Sequence, residues 1–313
     1  METAPTASPV EFASDAAGPS RPGPLLIALI VIVIWGVSFS VTRATVREIP
    51  PITIAFLRFT LASLLFWPLV RHRYPGMRIA KEDRLATFLL GFTGVTLYFA
   101  FENTGLEYTT ASHAALITAT IPLTAELFDA LRQRRWPTPA ILAGCVVALA
   151  GIFLIVGRNS GGGATLFGDL LMIGAVATWI WYTLLAVRLV GRYPSLFLTQ
   201  QMMVVGAVTF LPAAAVETWL HPFAFPSPAA WGGVVFLGIF CSAIAFLLWN
   251  RVIPTLGVAA TNNLLYGLPL IGVLTGVIFL GEPMTLSITL GGTLILGGVI
   301  LAGRAAPHPE GRP

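Results

Sequence analysis

Between Pro24 and Gly303 the chain passes through ten apolar stretches, near 24–42, 51–70, 85–103, 109–129, 137–157, 167–187, 196–218, 229–249, 258–280 and 284–303, separated by short polar joints. A bilayer core roughly 30 Å thick takes about 20 apolar residues per helix. Only structures that satisfy every backbone polar group internally can span it. The pattern therefore predicts an all-α integral membrane protein with ten transmembrane helices. Little chain is left for a soluble domain: 56% of the residues are hydrophobic and 10% are charged, against roughly 25% charged in a soluble domain.

The net charge of +4 does not point to nucleic acid, because the bases are not gathered on one face or arm. They lie in the joints, where positive charge marks the cytoplasmic side. With the N-terminus inside, the inner joints hold fourteen bases: Arg21, Arg71, Arg73, Arg78, Lys81, Arg84, Arg132, Arg134, Arg135, Arg188, Arg192, Arg251, Arg304 and Arg312. The outer joints hold three, Arg43, Arg47 and Arg158. This asymmetry predicts an even number of spans with both termini cytoplasmic. Residues 1–23 are rich in Pro, Ala and Ser and have no base before Arg21. They read as a disordered arm rather than a cleaved signal. Cys145 and Cys241 both fall within spans and read as packing residues without metal-type spacing.

The chain repeats itself. At a register of 144 residues Trp35 falls on Trp179, Pro50 on Pro194 and Pro68 on Pro212. After a small slip, at 147, Gly91 falls on Gly238, Asn103 on Asn250, Pro122 on Pro269, Gly144 on Gly291 and Gly151 on Gly298. The two units are 24–157 and 167–303, joined by a Gly-rich external linker at 158–166 and followed by a cytoplasmic tail at 304–313. Five spans each, an odd number, place the second unit upside down relative to the first. Two inverted repeats around an in-plane axis are a transporter's architecture, with the ligand site near the midplane. The glycines of the fifth and tenth spans read as close helix packing, which serves internal packing and a homodimer alike.

A charge inside a membrane helix asks for a partner or a wet path. The candidates are Arg58 in the second span, Glu102 in the third, His113, Glu126 and Asp129 in the fourth, and Asn262 and Asn263 in the ninth. Tyr98 stands one turn from Glu102, so Tyr98, Glu102 and His113 form a candidate outer vestibule for an amino group or a proton. The alternative is an interfacial Glu102 with His113 as a packing residue. Glu126 and Asp129 read as a solvated rim. Arg58 either neutralises a substrate carboxylate or ties helices together, and is assigned to structure or gating with Pro122 and Pro269. Each of these prolines removes a helix hydrogen bond and kinks its helix, leaving carbonyls free to line a cavity. Tyr266 lies beside Pro269. Trp35 and Trp179 sit near the midplane rather than at the interface where Trp usually anchors. With Trp181 and Tyr182 they offer aromatic surface for a ligand, or plain packing.

No G-x-x-x-x-G-K-[ST] phosphate loop and no H-E-x-x-H zinc pair occurs, nor a G-x-S-x-G elbow. The sequence therefore indicates no cofactor, no metal and no catalytic residues.

Four motifs carry a resemblance: Trp35-Gly36, the run Ala55-Phe56-Leu57-Arg58-Phe59, Thr110-Ala111 through Pro122-Leu123, and Leu280-Gly281-Glu282-Pro283. In this order they resemble the EamA repeats of the drug/metabolite transporter superfamily over about 25–303. The resemblance implies ten helices, a central cavity and export of small metabolites. Within the superfamily the chain looks most like the YddG-type exporters of aromatic and neutral amino acids, where a tyrosine pair matches the spacing of Tyr98 and Tyr108. The segment from Tyr108 to Pro122 is shorter here, and the first repeat has Arg135-Trp136-Pro137 where the second has Gly-Glu-Pro.

The sequence thus reads as a multi-pass exporter of small metabolites in a bacterial inner membrane, working by alternating access on neutral and aromatic amino acids. Trp35, Tyr98, Glu102, His113, Trp179, Tyr182, Asn262 and Tyr266 are the candidate substrate residues. A multidrug exporter or other metabolite carrier is the near alternative, and an intramembrane lipid-modifying enzyme is the alternative of another class.

Overall fold

The computed structural model describes residues 22–124, 127, 136–156, 163–189, 192–222, 225–256 and 264–303. The N-terminal arm, Glu126, Asp129, most of the Gly-rich linker, Asn262, Asn263 and the C-terminal tail lie outside them. The described chain is helical: α1 (Pro22–Thr45), α2 (Pro51–Arg73), α3 (Arg84–Gly91), α4 (Tyr98–Tyr108), α5 (Ala111–Thr118), α6 (Pro139–Val156), α7 (Leu166–Leu189), α8 (Ser195–Leu220), α9 (Pro228–Val235), α10 (Ala245–Leu256), α11 (Leu268–Leu280) and α12 (Leu286–Gly303). Six helical stretches among the described residues are long and apolar enough to cross a membrane, and three further apolar helices are shorter. Large apolar side chains face outward: Phe153 is 76% exposed, Phe279 73% and Ile278 69%. In water such a surface would aggregate; in lipid it is solvated.

Two helical rods contain wider turns at matching places. A π-helical segment, Phe92–Leu97, joins α3 to α4, and another, Phe236–Ile244, joins α9 to α10. Such segments are rare and gather at functional sites. The prolines also recur in role. Pro50 and Pro194 hold the N-caps of α2 and α8 with nearly equal dihedrals, φ −58°, ψ 144° and φ −57°, ψ 135°. Pro68 and Pro212 lie inside those same helices.

Pro122 and Pro269 differ from the expectation of kinked rods. The helix stops at Thr118, turns at Ala119 and Thr120, and is helical again at 121–124. Pro269 likewise stands at the start of α11, after the 3₁₀ turn Leu265–Gly267. In a first turn the missing N–H has no helical partner to lose. Each proline therefore marks a break rather than a bend.

The packing also recurs across the two halves. α1 packs on α10 and α4 on α7, α2 packs on the second π segment and α8 on the first, and α2 packs on α8. α6 lies along α12, with glycines at both crossings. A Cβ on Gly144 would meet the Gly298 carbonyl oxygen at 2.5 Å, and one on Gly151 would meet the Gly291 carbonyl oxygen at 2.6 Å. Small residues permit this approach in lipid.

Buried helix ends are closed by distant side chains. Arg43 Nη1 donates to the carbonyls of Leu106 and Glu107 at 2.7 and 2.6 Å, at the C-terminal end of α4. Glu217 accepts from the amides of Ile52 and Thr53 at 3.1 and 2.7 Å, at the start of α2. Glu282 accepts from the amides of Ala111 and Ser112 at 2.7 and 2.9 Å, and from the Ser112 hydroxyl, at the start of α5. In each case the charge sits at the helix end whose dipole it complements.

Candidate functional site

The cluster is built on Arg58, seven residues into α2 and therefore about 10 Å from its start. Arg58 is 3% exposed. Its guanidinium lies 4.5 Å from the Phe99 ring centroid and 5.1 Å from that of Phe59, and Nε donates to Ser242 Oγ at 3.0 Å. Nη1 is buried and has no hydrogen-bond partner among the described residues. Phe99 in turn packs edge-on against Tyr98 at 4.9 Å, Tyr98 against Trp179 at 5.1 Å, and Trp179 against Tyr182 at 4.7 Å. Tyr98 and Glu102 stand one turn apart on the same face of α4, and Glu102 is 5% exposed.

The cluster thus draws Arg58 from α2, Tyr98 and Glu102 from α4, Trp179 and Tyr182 from α7, and Ser242 from the second π segment. Both halves of the chain contribute. Four expected residues, Tyr98, Glu102, Trp179 and Tyr182, meet here with Arg58. An arginine and a carboxyl share one aromatic enclosure without an ion pair between them; the salt bridges among the described residues lie elsewhere. Chemically the enclosure offers a cationic donor, an acidic acceptor and ring faces.

The remaining expected residues lie elsewhere. His113 does not join Tyr98 and Glu102: its Nδ1 lies 3.1 Å from both carboxylate oxygens of Asp169 on α7, where Thr109 Oγ1 also donates. α5 turns the ring toward α7, so the expected three-residue vestibule is a tyrosine–glutamate pair and a separate histidine–aspartate pair. Trp35 spends its indole N–H on the Cys241 carbonyl at 3.0 Å and packs on Phe246 and Trp249. It braces the second π segment beside Ser242 rather than presenting a free polar edge. Trp181 is 61% exposed and points out. Tyr266 packs with the α5, α6 and α12 cluster around Leu116, Leu123 and Ile295. Asn262 lies outside the described residues.

Sequence reasoning missed Asp169, Ser242 and Phe99. Asp169 carried a usable signal, an acid in the first turn of an apolar run. Ser242 and Phe99 carried none, since a serine and a phenylalanine are ordinary in such helices.

Outside the membrane, Glu48 in the α1–α2 joint accepts from the backbone amide and hydroxyl of Ser227 at 2.6 and 2.8 Å. These bonds, the backbone one foremost, hold its carboxyl below the usual range. They tether the start of α9, where Ser227 is the N-cap.

The sequence profile of the EamA-like transporter family matches residues 23–157 and again residues 166–304. An uncharacterized transporter of Archaeoglobus fulgidus is 29% identical over 280 residues, covering 88% of this chain and 96% of that protein. A probable terminal-alkyne amino-acid exporter of Streptantibioticus cattleyicolor is 27% identical over 276 residues, covering 88% and 92%. A solved crystal structure aligns with a TM-score of 0.61 over 90% of this chain and 99% of its own, at 24% identity, a likeness of fold. The two named relatives carry the names of transporters, not of enzymes. With the profile matched over both halves, the chain is a multi-pass membrane protein and belongs to the EamA-like transporter family.

Proposed function

We propose that this protein exports small zwitterionic metabolites, neutral and aromatic amino acids foremost, from the cytoplasm across a bacterial inner membrane. The observation that carries this reading is Arg58 Nη1, without a partner among the described residues, inside an aromatic enclosure that also holds Glu102. A buried donor without a partner costs about 1–3 kcal/mol, and a substrate carboxylate relieves that cost. The α-amino group goes to Glu102 and Tyr98, and the side chain lies against Trp179 and Tyr182. Arg58 moves in this reading from gating to substrate binding, because Nε is held by Ser242 while Nη1 has no partner among the described residues.

The transport cycle is alternating access between ten helices arranged as two inverted five-helix repeats, 24–157 and 167–303, with both termini cytoplasmic. The recurring proline caps, π segments and glycine crossings support this arrangement. So does the family profile, which matches twice. The paired breaks before Pro122 and Pro269 are the points at which the helices around the cluster hinge. A relative named as a probable amino-acid exporter supports the substrate class, as does the resemblance to the YddG-type exporters.

The test is uptake of labelled phenylalanine, methionine and threonine into proteoliposomes, with empty liposomes as control. Saturable uptake that falls in Tyr98→Ala and Trp179→Ala, with both variants still inserted, is the expected result. Absence of uptake of every amino acid tried overturns the substrate class.

A further inference from the structure

A second site lies away from the Arg58 cluster, where the joint after α2 meets α3 and the first turns of α8. A cleft of about 380 Å³ opens there. Its mouth carries Arg78 in the joint and Arg84 at the first position of α3. Neither arginine has an ion-pair partner among the described residues. Of the two acids before Arg84, Glu82 is exposed, and Asp83 is occupied by Arg192 Nη1 at 2.6 Å and by the Tyr193 hydroxyl at 2.8 Å. Inward from the arginines stands Thr87, which is 4% exposed and whose hydroxyl has no partner among the described residues. Beyond it the walls are Phe88 on α3 and Phe197 and Val205 on α8. Phe197 and Val205 are eight residues apart on one helix face, about 12 Å along the axis. At the inner end α3 closes on α8, where a Cβ on Gly91 would lie 2.8 Å from Val205.

Two cations at the membrane boundary, a buried hydroxyl below them and an apolar wall running toward the bilayer interior match one class of ligand. We propose that this cleft binds a single anionic phospholipid, with its phosphate on Arg78 and Arg84 and one acyl chain along Phe88, Phe197 and Val205. Basic pockets between membrane helices bind such headgroups. The site does not follow from the repeat alone: at the 147-residue register the positions of Arg78 and Arg84 are held by Phe225 and Trp231. The arginine pair is therefore particular to one end of the molecule.

The experiment is native mass spectrometry of the purified full-length protein with phosphatidylglycerol or phosphatidylcholine carrying the same acyl chains. The wild type retains phosphatidylglycerol selectively, and Arg78→Gln with Arg84→Gln lowers that selectivity about thirtyfold. The control pair Arg71→Gln with Arg73→Gln removes equal charge from the exposed last turn of α2 and leaves most of the selectivity in place. Equal loss in both pairs overturns the site in favour of diffuse attraction, and so does a wild type without preference. Protection of the lipid-free protein by millimolar inorganic phosphate as strong as that by lipid assigns the cleft to a soluble anion and also overturns it. A Phe88→Trp variant retains both arginines and gives a reading independent of their effect on folding. Brominated phosphatidylglycerol quenches the added tryptophan more than brominated phosphatidylcholine if the lipid is seated there, and equally if it is not.

Discussion

Glu282, the acid of the Gly-Glu-Pro motif, should matter more to folding than to transport chemistry. It is 7% exposed and follows Gly281, whose left-handed φ of 65° ends α11. That turn aims the carboxylate at the start of α5, where it accepts from two backbone amides and one hydroxyl. Glu282→Ala strips both amides of their partner. At about 1–3 kcal/mol per buried unsatisfied donor, and with part of the deficit met by the Thr110 hydroxyl that already caps His113 N, the expected loss is about 3 kcal/mol. Glu282→Gln keeps one accepting oxygen but turns an N–H₂ toward the other donor, so about half of that loss is expected. Ser112→Ala removes one donor and costs about 1 kcal/mol. The double mutant Glu282→Ala/Ser112→Ala should show coupling of about 1 kcal/mol, since the two groups are in contact. Reversible unfolding in mixed micelles reads all four proteins. A Glu282→Ala protein within about 0.5 kcal/mol of wild type, the range of ordinary surface substitutions, would refute the capping role.

Other consequences follow from the same geometry. Gly144→Leu should separate α6 from α12 and cost about 1–3 kcal/mol by overpacking, read by the same unfolding assay; an unchanged midpoint would mean the crossing is loose. His113→Ala leaves the buried Asp169 carboxyl without the ring nitrogen 3.1 Å away and should cost about 1–3 kcal/mol, whereas His113→Ala with Asp169→Asn should recover a large part of that loss. Glu48 has a depressed carboxyl pKa in the folded protein. Its tether is therefore complete above the ordinary carboxylate value of 4.5 and is lost as pH falls through its lower folded value. Amide exchange over Pro228–Val235, corrected for intrinsic rate, should rise in that acid window in wild type and show no such step in Glu48→Gln.

What was legible in the sequence was whatever depends on local pattern. Apolar run length located the six helical stretches that are long and apolar enough to cross a membrane among the described residues, and rare residues in register located Pro50 with Pro194 and Pro68 with Pro212, which hold equivalent places in α2 and α8. Pro122 and Pro269 were found but misjudged in effect, because a proline suits a first turn as well as it kinks an interior, and the sequence does not mark the break before it. The site was half legible. Tyr98 and Glu102 are one turn apart, so their meeting follows from helix geometry. The choice of Asp169 over Glu102 as the partner of His113 is tertiary, fixed by the packing of α5 on α7. The same holds for Trp181, one position from Tyr182 yet turned outward by the helical twist of about 100° per residue.

The most direct test of the zwitterion site asks whether both charges of the ligand are read. Labelled phenylalanine uptake into proteoliposomes would be competed by phenylalanine, by phenylalaninamide, which lacks the carboxylate, and by phenylpropionate, which lacks the amine. A charge-assisted hydrogen bond is worth about 1.5–3 kcal/mol, so each truncated analogue should compete about 10–100-fold more weakly, and Arg58→Gln should erase the difference between phenylalanine and its amide. If phenylalaninamide competes as well as phenylalanine in the wild type, Arg58 does not receive a carboxylate and the proposed substrate class is wrong.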